Sequence, residues 1–276
     1  MNSMNKKLTV IFTCFNRKEK TIKAINSLVT KNRNIDFKFI VVDDKSTDGT
    51  TDAIEKLGYD VEIIAGTGSL FWCGGMRLGI NRYFQFDDGT DCLLVNDDVD
   101  FYDAAIEKML ALQAGREDVV VVGATCDKNG NFTYGLRKHR DKKGIWLNPV
   151  EPNNREIMGD TMNANCVLIS NVVMKKIGNM DSHYSHSLGD YDLGFRINRM
   201  GYKLISSVEY VGHCEDNGFK NSWRDPSLSR KERLKKKESP KGSPFKEWWY
   251  FLYSNYGLLR ATCYSLIPYV KIILRK

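Results

Sequence analysis

Paired cysteines are the first thing this sequence lacks. Seven stand singly at positions 14, 73, 92, 126, 166, 214 and 263, with no CxxC among them. That excludes a zinc knuckle and a disulfide framework and fits a reducing cytoplasm. No run of about 18 apolar residues occurs, so no membrane span is expected. The opening "MNSMNKKLTVIFTCFNRKEK" places lysines before an apolar patch, but the patch is short and reads as a first strand, not a signal peptide. Internal repeats are missing as well. So is a charge of one sign over most of the chain. The formal net charge is +7, and residues 220–246 hold ten Lys or Arg against three Asp or Glu, so the other 31 basic and 31 acidic residues cancel. Basicity is a local property of the tail.

What is present is a globular composition, 42% hydrophobic and 11% aromatic over 276 residues, enough for a sizeable core. "LTVIFTCF" (8–15), "FKFIVVDD" (37–44), "VEIIA" (61–65), "CLLVND" (92–97) and "VVVVGAT" (119–125) are continuous apolar runs, as strands buried on both faces require. "RKEKTIKAINSLV", "TTDAIEKL", "GGMRLGINRYFQF" and "DAAIEKMLAL" alternate with them at helical spacing. This rhythm predicts an α/β fold with a mostly parallel sheet flanked by helices. Residues 126–160 read as a long excursion or hairpin, "NANCVLISNVVMKKIG" as a strand running into a helix, "GDYDLGFRINRMG" as a helix stopped by Gly201, and "KLISSVEYVGHCE" as a strand ending at His213.

In such sheets ligands gather at the carboxyl ends of the strands. There Asn96, Asp97, Asp98, Asp100 and Asp103 crowd together. They are either turn and cap residues or ligands for a cation. Asp103 is assigned as the N-cap of "AAIEKMLAL". Ser46, Thr47 and Asp48 are likewise assigned to capping. A dinucleotide reading of "AGTGSLFWCGGMRLGI" fails, because Phe71 stands where a third glycine is needed.

Four motifs fall in order: "TCFNR" after strand one, "VVDDKSTDGT" after strand two, "NDD" after strand four, and "GDYDLGFRINRMGYKL" some ninety residues later. Together they resemble the family 2 inverting glycosyltransferases of the GT-A (nucleotide-diphospho-sugar transferase) fold, and "GSLFWCGGMRLGI" is similar to their rhamnosyltransferase-like branch. The resemblance covers about residues 7–215. It implies a metal-dependent hexosyl transfer from a nucleotide-diphosphate sugar, dTDP-rhamnose or a UDP-hexose, to a glycan or lipid-linked glycan in cell-surface polysaccharide biosynthesis. The implied organisation is a GT-A domain over 1–219, with a nucleotide-sugar half (7–125) and an acceptor half (126–219), a basic linker (220–246) and helices over 247–276.

The site residues implied by the resemblance follow the same motifs. Asp98 and His213 would hold Mn²⁺ or Mg²⁺ with diphosphate oxygens, neutralising the leaving group. Asp97 would reach the ribose or share the ion. Asp44 and Thr13 would meet the nucleobase, with Asn16 and Arg17 beside the nucleotide. Gly74 and Gly75 would open a helix whose bare N–H groups suit a phosphate, although close helix–strand packing explains the same glycines. Arg77 would lie nearby with its role open, and Trp72 would stack on a sugar or sit in the core. Asp190 would be the base of a single displacement, with Asp192 binding acceptor; capping is the alternative for both. At a helix N-terminus both carboxylates are expected to have lowered pKa values.

"RKERLKKKESPKGSPFKEWWYFLY" sets a polybasic stretch beside aromatics, which suits an anionic membrane surface or, equally, a solvated linker with helices packed on the domain. Residues 230–276 would then give peripheral contact with the inner face of the cytoplasmic membrane. No nucleic-acid partner is expected, since no recognised module accompanies the charge. Two other functions are weighed: a nucleotidyltransferase, disfavoured because "TCFNRKEK" has no glycine, and a non-catalytic glycan- or membrane-binding protein, which would turn over no donor.

Overall fold

The computed structural model describes residues 6–141, 144–216 and 218–274. The expected outer limits at 1 and 276 lie outside the described residues. The first half runs β1 (Lys6–Cys14), α1 (Lys18–Lys31), β2 (Ile35–Asp43), α2 (Thr50–Glu55), β3 (Asp60–Ala65), α3 (Phe71–Phe86), β4 (Asp91–Val95), β5 (Asp100–Phe101), α4 (Ala105–Gln113) and β6 (Val119–Cys126). Then come β7 (Leu136–His139), β8 (Leu147–Pro149), β9 (Met158–Gly159), β10 (Thr161–Met162), β11 (Cys166–Ile169), α5 (Asn171–Ile177), α6 (Gly189–Arg199) and β12 (Lys203–His213). Four helices close the chain: α7 (Arg230–Lys237), α8 (Phe245–Tyr256), α9 (Leu258–Ser265) and α10 (Ile267–Leu274).

Among the described residues the main sheet has the order β3-β2-β1-β4-β11-β6-β12-β5, with β9 beside β12, and β10-β7-β8 form a second sheet. Strands β1 to β4 are mutually parallel, as their doubly buried apolar runs predict. β11 runs antiparallel between β4 and β6, so a strand from the second half of the chain sits inside the sheet begun by the first. Layers of apolar residues cover both faces: Leu8, Val10 and Phe12 point into one, Ile11, Ile40 and Leu94 into the other. The register puts Cys14 beside Asp43 and Ile11 beside Leu94, so the polar ends of three strands open at one rim.

Four local expectations change. α3 begins at Phe71, a turn ahead of Gly74. Asp103 does not cap α4; Ala104 holds that position in a left-handed conformation, and Asp103 pairs outward with Lys31 at 2.9 Å. Part of the basic linker is helical, since Ser229 and Glu232 form a reciprocal capping box that starts α7. The tail aromatics do not form an outward belt: Phe251 and Leu252 are buried with Tyr184 and Phe195, and Trp248, Trp249 and Tyr250 pack against that cluster. Their burial fixes α8 to the domain. No helix of the described residues is long and apolar enough to cross a membrane.

Candidate active site

The acidic turn after β4 is built by tethering its backbone. Asn96 donates its N–H to the Asn165 carbonyl (3.0 Å) and accepts the Trp72 indole N–H at 2.9 Å on its side chain. Beyond the turn, β5 pairs with the end of β12, His213 standing opposite Asp100. Gly212 permits this approach: a Cβ there would lie 2.6 Å from the Asp100 carbonyl oxygen.

Asp97 and Asp98 aim at a single cation, but that cation is Arg17. Nη1 reaches Asp97 Oδ1 at 2.9 Å and Nη2 reaches Asp98 Oδ2 at 2.5 Å. The sequence suggests a divalent ion as the cation for this acidic cluster; the guanidinium is a second answer. Burial still pushes the Asp97 carboxyl up to about 7, against the pull of Arg17 and with the push of Asp98. The remaining partners are weak: Thr21 lies 3.4 Å from Asp97 Oδ2, and the Cys214 thiol 3.5 Å from Asp98 Oδ1.

The observed contact of His213 is with Glu215, and the neighbour that meets Asp98 is Cys214. The Cys214 thiol lies 3.5 Å from Asp98 Oδ1, while the His213 ring lies 3.5 Å from Glu215. Among the described residues no three His, Cys, Asp or Glu side chains are grouped to hold a metal. Asp97 and Asp98 do fit a hard cation in their donor chemistry, two carboxylates converging on one positive centre, with the rest of an oxygen shell left to a diphosphate and water.

Asp190 opens α6, where its side chain accepts the Tyr191 N–H at 2.9 Å and faces the Asn163 amide at 3.5 Å. Its pKa is not lowered as expected. Burial raises it to about 6, outweighing the backbone N–H groups of Tyr191 and Ala164. A helix terminus contributes about 0.3–1 kcal/mol, less than one pKa unit, whereas burial can contribute several. The segment 163–165 thus connects the two carboxylate centres: Asn163 and Ala164 bond Asp190, and Asn165 meets both Asn96 and the Cys214 sulfur, the latter at 3.7 Å. Sequence reasoning missed Asn163 and Asn165. The signal was two amides flanking an alanine just before an apolar strand.

Asp192 is turned away from the rim. It is 2% exposed and accepts from Arg196 Nε (3.0 Å), Asn255 (3.2 Å) and Tyr184 (3.4 Å). It clasps α6, the 179–186 loop and α8, and its geometry is that of a positioning residue, not an acceptor contact.

The other expected donors are also engaged by protein groups. Asp44 accepts the N–H groups of Gly68 (2.7 Å), Leu70 (2.9 Å) and Phe71 (3.2 Å), holding Phe71 at a left-handed φ of 52° that a bulky residue rarely adopts. Thr13 donates to the Val42 carbonyl at 3.0 Å, and a Cβ on Gly75 would lie 2.2 Å from its hydroxyl. Gly74 and Gly75 are buried on the fourth and fifth residues of α3, and Gly74 N–H already bonds Leu70. Both serve packing, not a bare phosphate cradle. Arg77 holds the carbonyls of Asp181 and Tyr184 at 3.0 and 2.7 Å, stapling the loop before α6. Asn16 accepts from Thr47 N at 2.7 Å, joining the first two strand-end loops. Trp72 keeps its ring half-buried and its N–H on Asn96. His186 accepts the Trp72 backbone N–H at 3.4 Å, and burial lowers its pKa to about 4, so it is neutral at pH 7.

The fold is similar to that of solved glycosyltransferase structures. Mannosyltransferase PcManGT from Pyrobaculum calidifontis, in complex with GDP-Man and Mn²⁺, is 14% identical with a TM-score of 0.59, covering 97% of this chain and 70% of that one. S. aureus TarS 1–349 in complex with UDP-GlcNAc is 14% identical with a TM-score of 0.60, covering 98% of this chain and 72% of that one. At this identity the likeness establishes the GT-A fold. No curated protein sequence matches the chain. The sequence model described as glycosyl transferase family 2 matches residues 9–174, more than half of the chain. The chain belongs to glycosyl transferase family 2.

Proposed function

We propose that this glycosyltransferase is metal-dependent and inverting, moving a sugar from a nucleoside-diphosphate donor to a glycan acceptor with Asp190 as base. The observation that carries the reading is the linkage of two carboxylate centres at one rim: the Asp97–Asp98 pair converging on a cation, and the half-buried Asp190 tied to it through residues 163–165. Asp98, with Asp97 behind it, would hold the divalent ion. When bound, that ion neutralises charge growing on the departing diphosphate. Asp190 takes the proton of the acceptor hydroxyl as its oxygen bonds the anomeric carbon, while the bond to the diphosphate oxygen breaks and that electron pair leaves with the nucleotide. With a pKa near 6 the base is mostly ionised at pH 7, yet basic enough to share the proton. Asn163 orients it, and Arg77 holds the loop that precedes it.

The complexes of PcManGT with GDP-Man and Mn²⁺, and of TarS with UDP-GlcNAc, support a nucleotide sugar and a manganese-type ion. The "GSLFWCGG" likeness makes dTDP-rhamnose the first donor to assay, with UDP-hexoses second. Donor hydrolysis and transfer should require Mn²⁺ or Mg²⁺ and fall at least about a hundredfold in Asp98→Ala, given the several kcal/mol that a catalytic ion supplies. Full metal-dependent turnover by that variant would refute the assignment.

A lipid-linked acceptor at an anionic membrane surface fits the tail. Leu259 and Leu274 are 82% and 75% exposed on α9 and α10. The basic α7 packs beside α10, with the Lys237 ammonium over the Tyr269 ring. Exposed Arg230, Lys231 and Lys235 on α7 supply positive charge next to the apolar residues. The full chain should co-sediment with phosphatidylglycerol vesicles and release in high salt, and Leu259→Glu/Leu274→Glu should not bind. Equal recovery from vesicle-free supernatant would remove the membrane from the proposal.

A further inference from the structure

Arg17 stands where the divalent ion of the proposed reaction would bind. Its fork takes one oxygen from each carboxylate, Asp97 Oδ1 at 2.9 Å and Asp98 Oδ2 at 2.5 Å. Among the described residues, the opposite oxygens meet the Thr21 hydroxyl and the Cys214 thiol at 3.4 and 3.5 Å, both long contacts. A divalent ion such as Mg²⁺ on Asp98 needs oxygens at about 2.0–2.1 Å, from the side Nη2 now occupies. A doubly charged ion and a guanidinium cannot share that carboxylate pair without strong repulsion.

Arg17 is also placed to leave. It sits at the start of α1, its side chain 35% exposed, on the rim rather than in the core. A guanidinium freed from two carboxylates needs another anion, and a diphosphate matches its fork. We propose that Arg17 is a resident counter-ion that keeps the acidic pair neutralised in the empty enzyme, is displaced by the divalent ion, and re-pairs with the donor diphosphate. Metal and nucleotide then bind synergistically: the ion alone must evict Arg17 into water, whereas the ion with a diphosphate gives the evicted charge a partner. This inference rests on the metal-dependent reading above.

Calorimetric titration of the full chain separates the two. Mn²⁺ is titrated alone and with saturating UDP or dTDP, on wild type, Arg17→Gln and Arg17→Lys, with melting in EDTA as a folding control. Arg17→Gln should bind Mn²⁺ alone at least tenfold more tightly than wild type. Its gain in Mn²⁺ affinity from nucleotide should shrink by a similar factor. In EDTA it should melt earlier than wild type, and Mn²⁺ should restore it. Arg17→Lys, which keeps the charge without the fork, should shift about threefold in the same direction, and carries the test if Arg17→Gln does not fold. Unchanged Mn²⁺ affinity and unchanged nucleotide enhancement in the variants would overturn the counter-ion role while leaving the metal reading intact. No Mn²⁺ binding by wild type, even with nucleotide, would overturn both.

Discussion

Asp190→Asn is expected to lose sugar transfer by about 10²–10⁴-fold, the usual contribution of a positioned base, without becoming less stable at pH 7. The sign follows from its raised pKa. The folded protein binds this proton more tightly than the unfolded chain, since the carboxyl titrates near 6 when folded against 3.8 for the unperturbed group. Stability from this group is therefore fullest below about pH 4, declines as pH rises toward 6, and is flat above. At pH 7 the buried charge works against folding by no more than about 3 kcal/mol, and the neutral amide removes that penalty. In wild type, transfer should rise with pH through a limb near 6, and the variant should lack that limb. Melting curves and pH–rate profiles read both effects. A variant that keeps the limb would exclude Asp190 as the base, and one that melts much earlier at pH 7 would give this carboxylate a structural role.

Asp192→Ala should act in the opposite way, through folding first. Arg196 donates to the carbonyls of Ile177 and Asn179 at 2.9 Å each, and to Asp192. Removing the buried carboxylate leaves a half-buried guanidinium without its counter-charge, a loss approaching the roughly 3–5 kcal/mol of a broken buried pair. For a chain of this size that lowers the melting temperature by roughly 10 °C. Asn255 on α8 loses a partner as well, so proteolysis should reach the α8 region sooner. Asp192→Asn, which keeps an acceptor, should lose less. A melting temperature unchanged in Asp192→Ala would show that the clasp carries little of the stability.

The strands of the first half were legible because burial on both faces demands uninterrupted apolar runs, and 8–15, 37–44 and 119–125 have them. The acidic turn was legible as a cluster, since Asn96 to Asp98 end a strand whose rim collects ligands. Its neutralisation was not. Arg17 lies eighty residues away in sequence, and only the register of β1 beside β4 brings it there. Gly74 and Gly75 misled because bare N–H groups and close packing call for the same residue. Asp44 decides between the two by accepting the Leu70 and Phe71 N–H groups, so that the helix starts at Phe71, three residues ahead of Gly74. The pKa of Asp190 was misjudged because its helix position is visible in sequence and the depth of its carboxyl is not. At the end of β12 the neighbour of His213, Cys214, is the side chain that meets Asp98, and sequence alone does not distinguish the two positions.

The insertion of β11 has a consequence for how the chain is made. β4 and β6 meet only through it, Cys166 pairing Val95 and Val167 pairing Val122. A fragment stopping near residue 125 would present two unsealed edges where the middle of the sheet belongs, an invitation to intermolecular pairing. During synthesis the sheet cannot zip shut until Ile169 has left the ribosome, so the first 125 residues have no independent folding life. Attempts to express that segment as a separate module should yield aggregate.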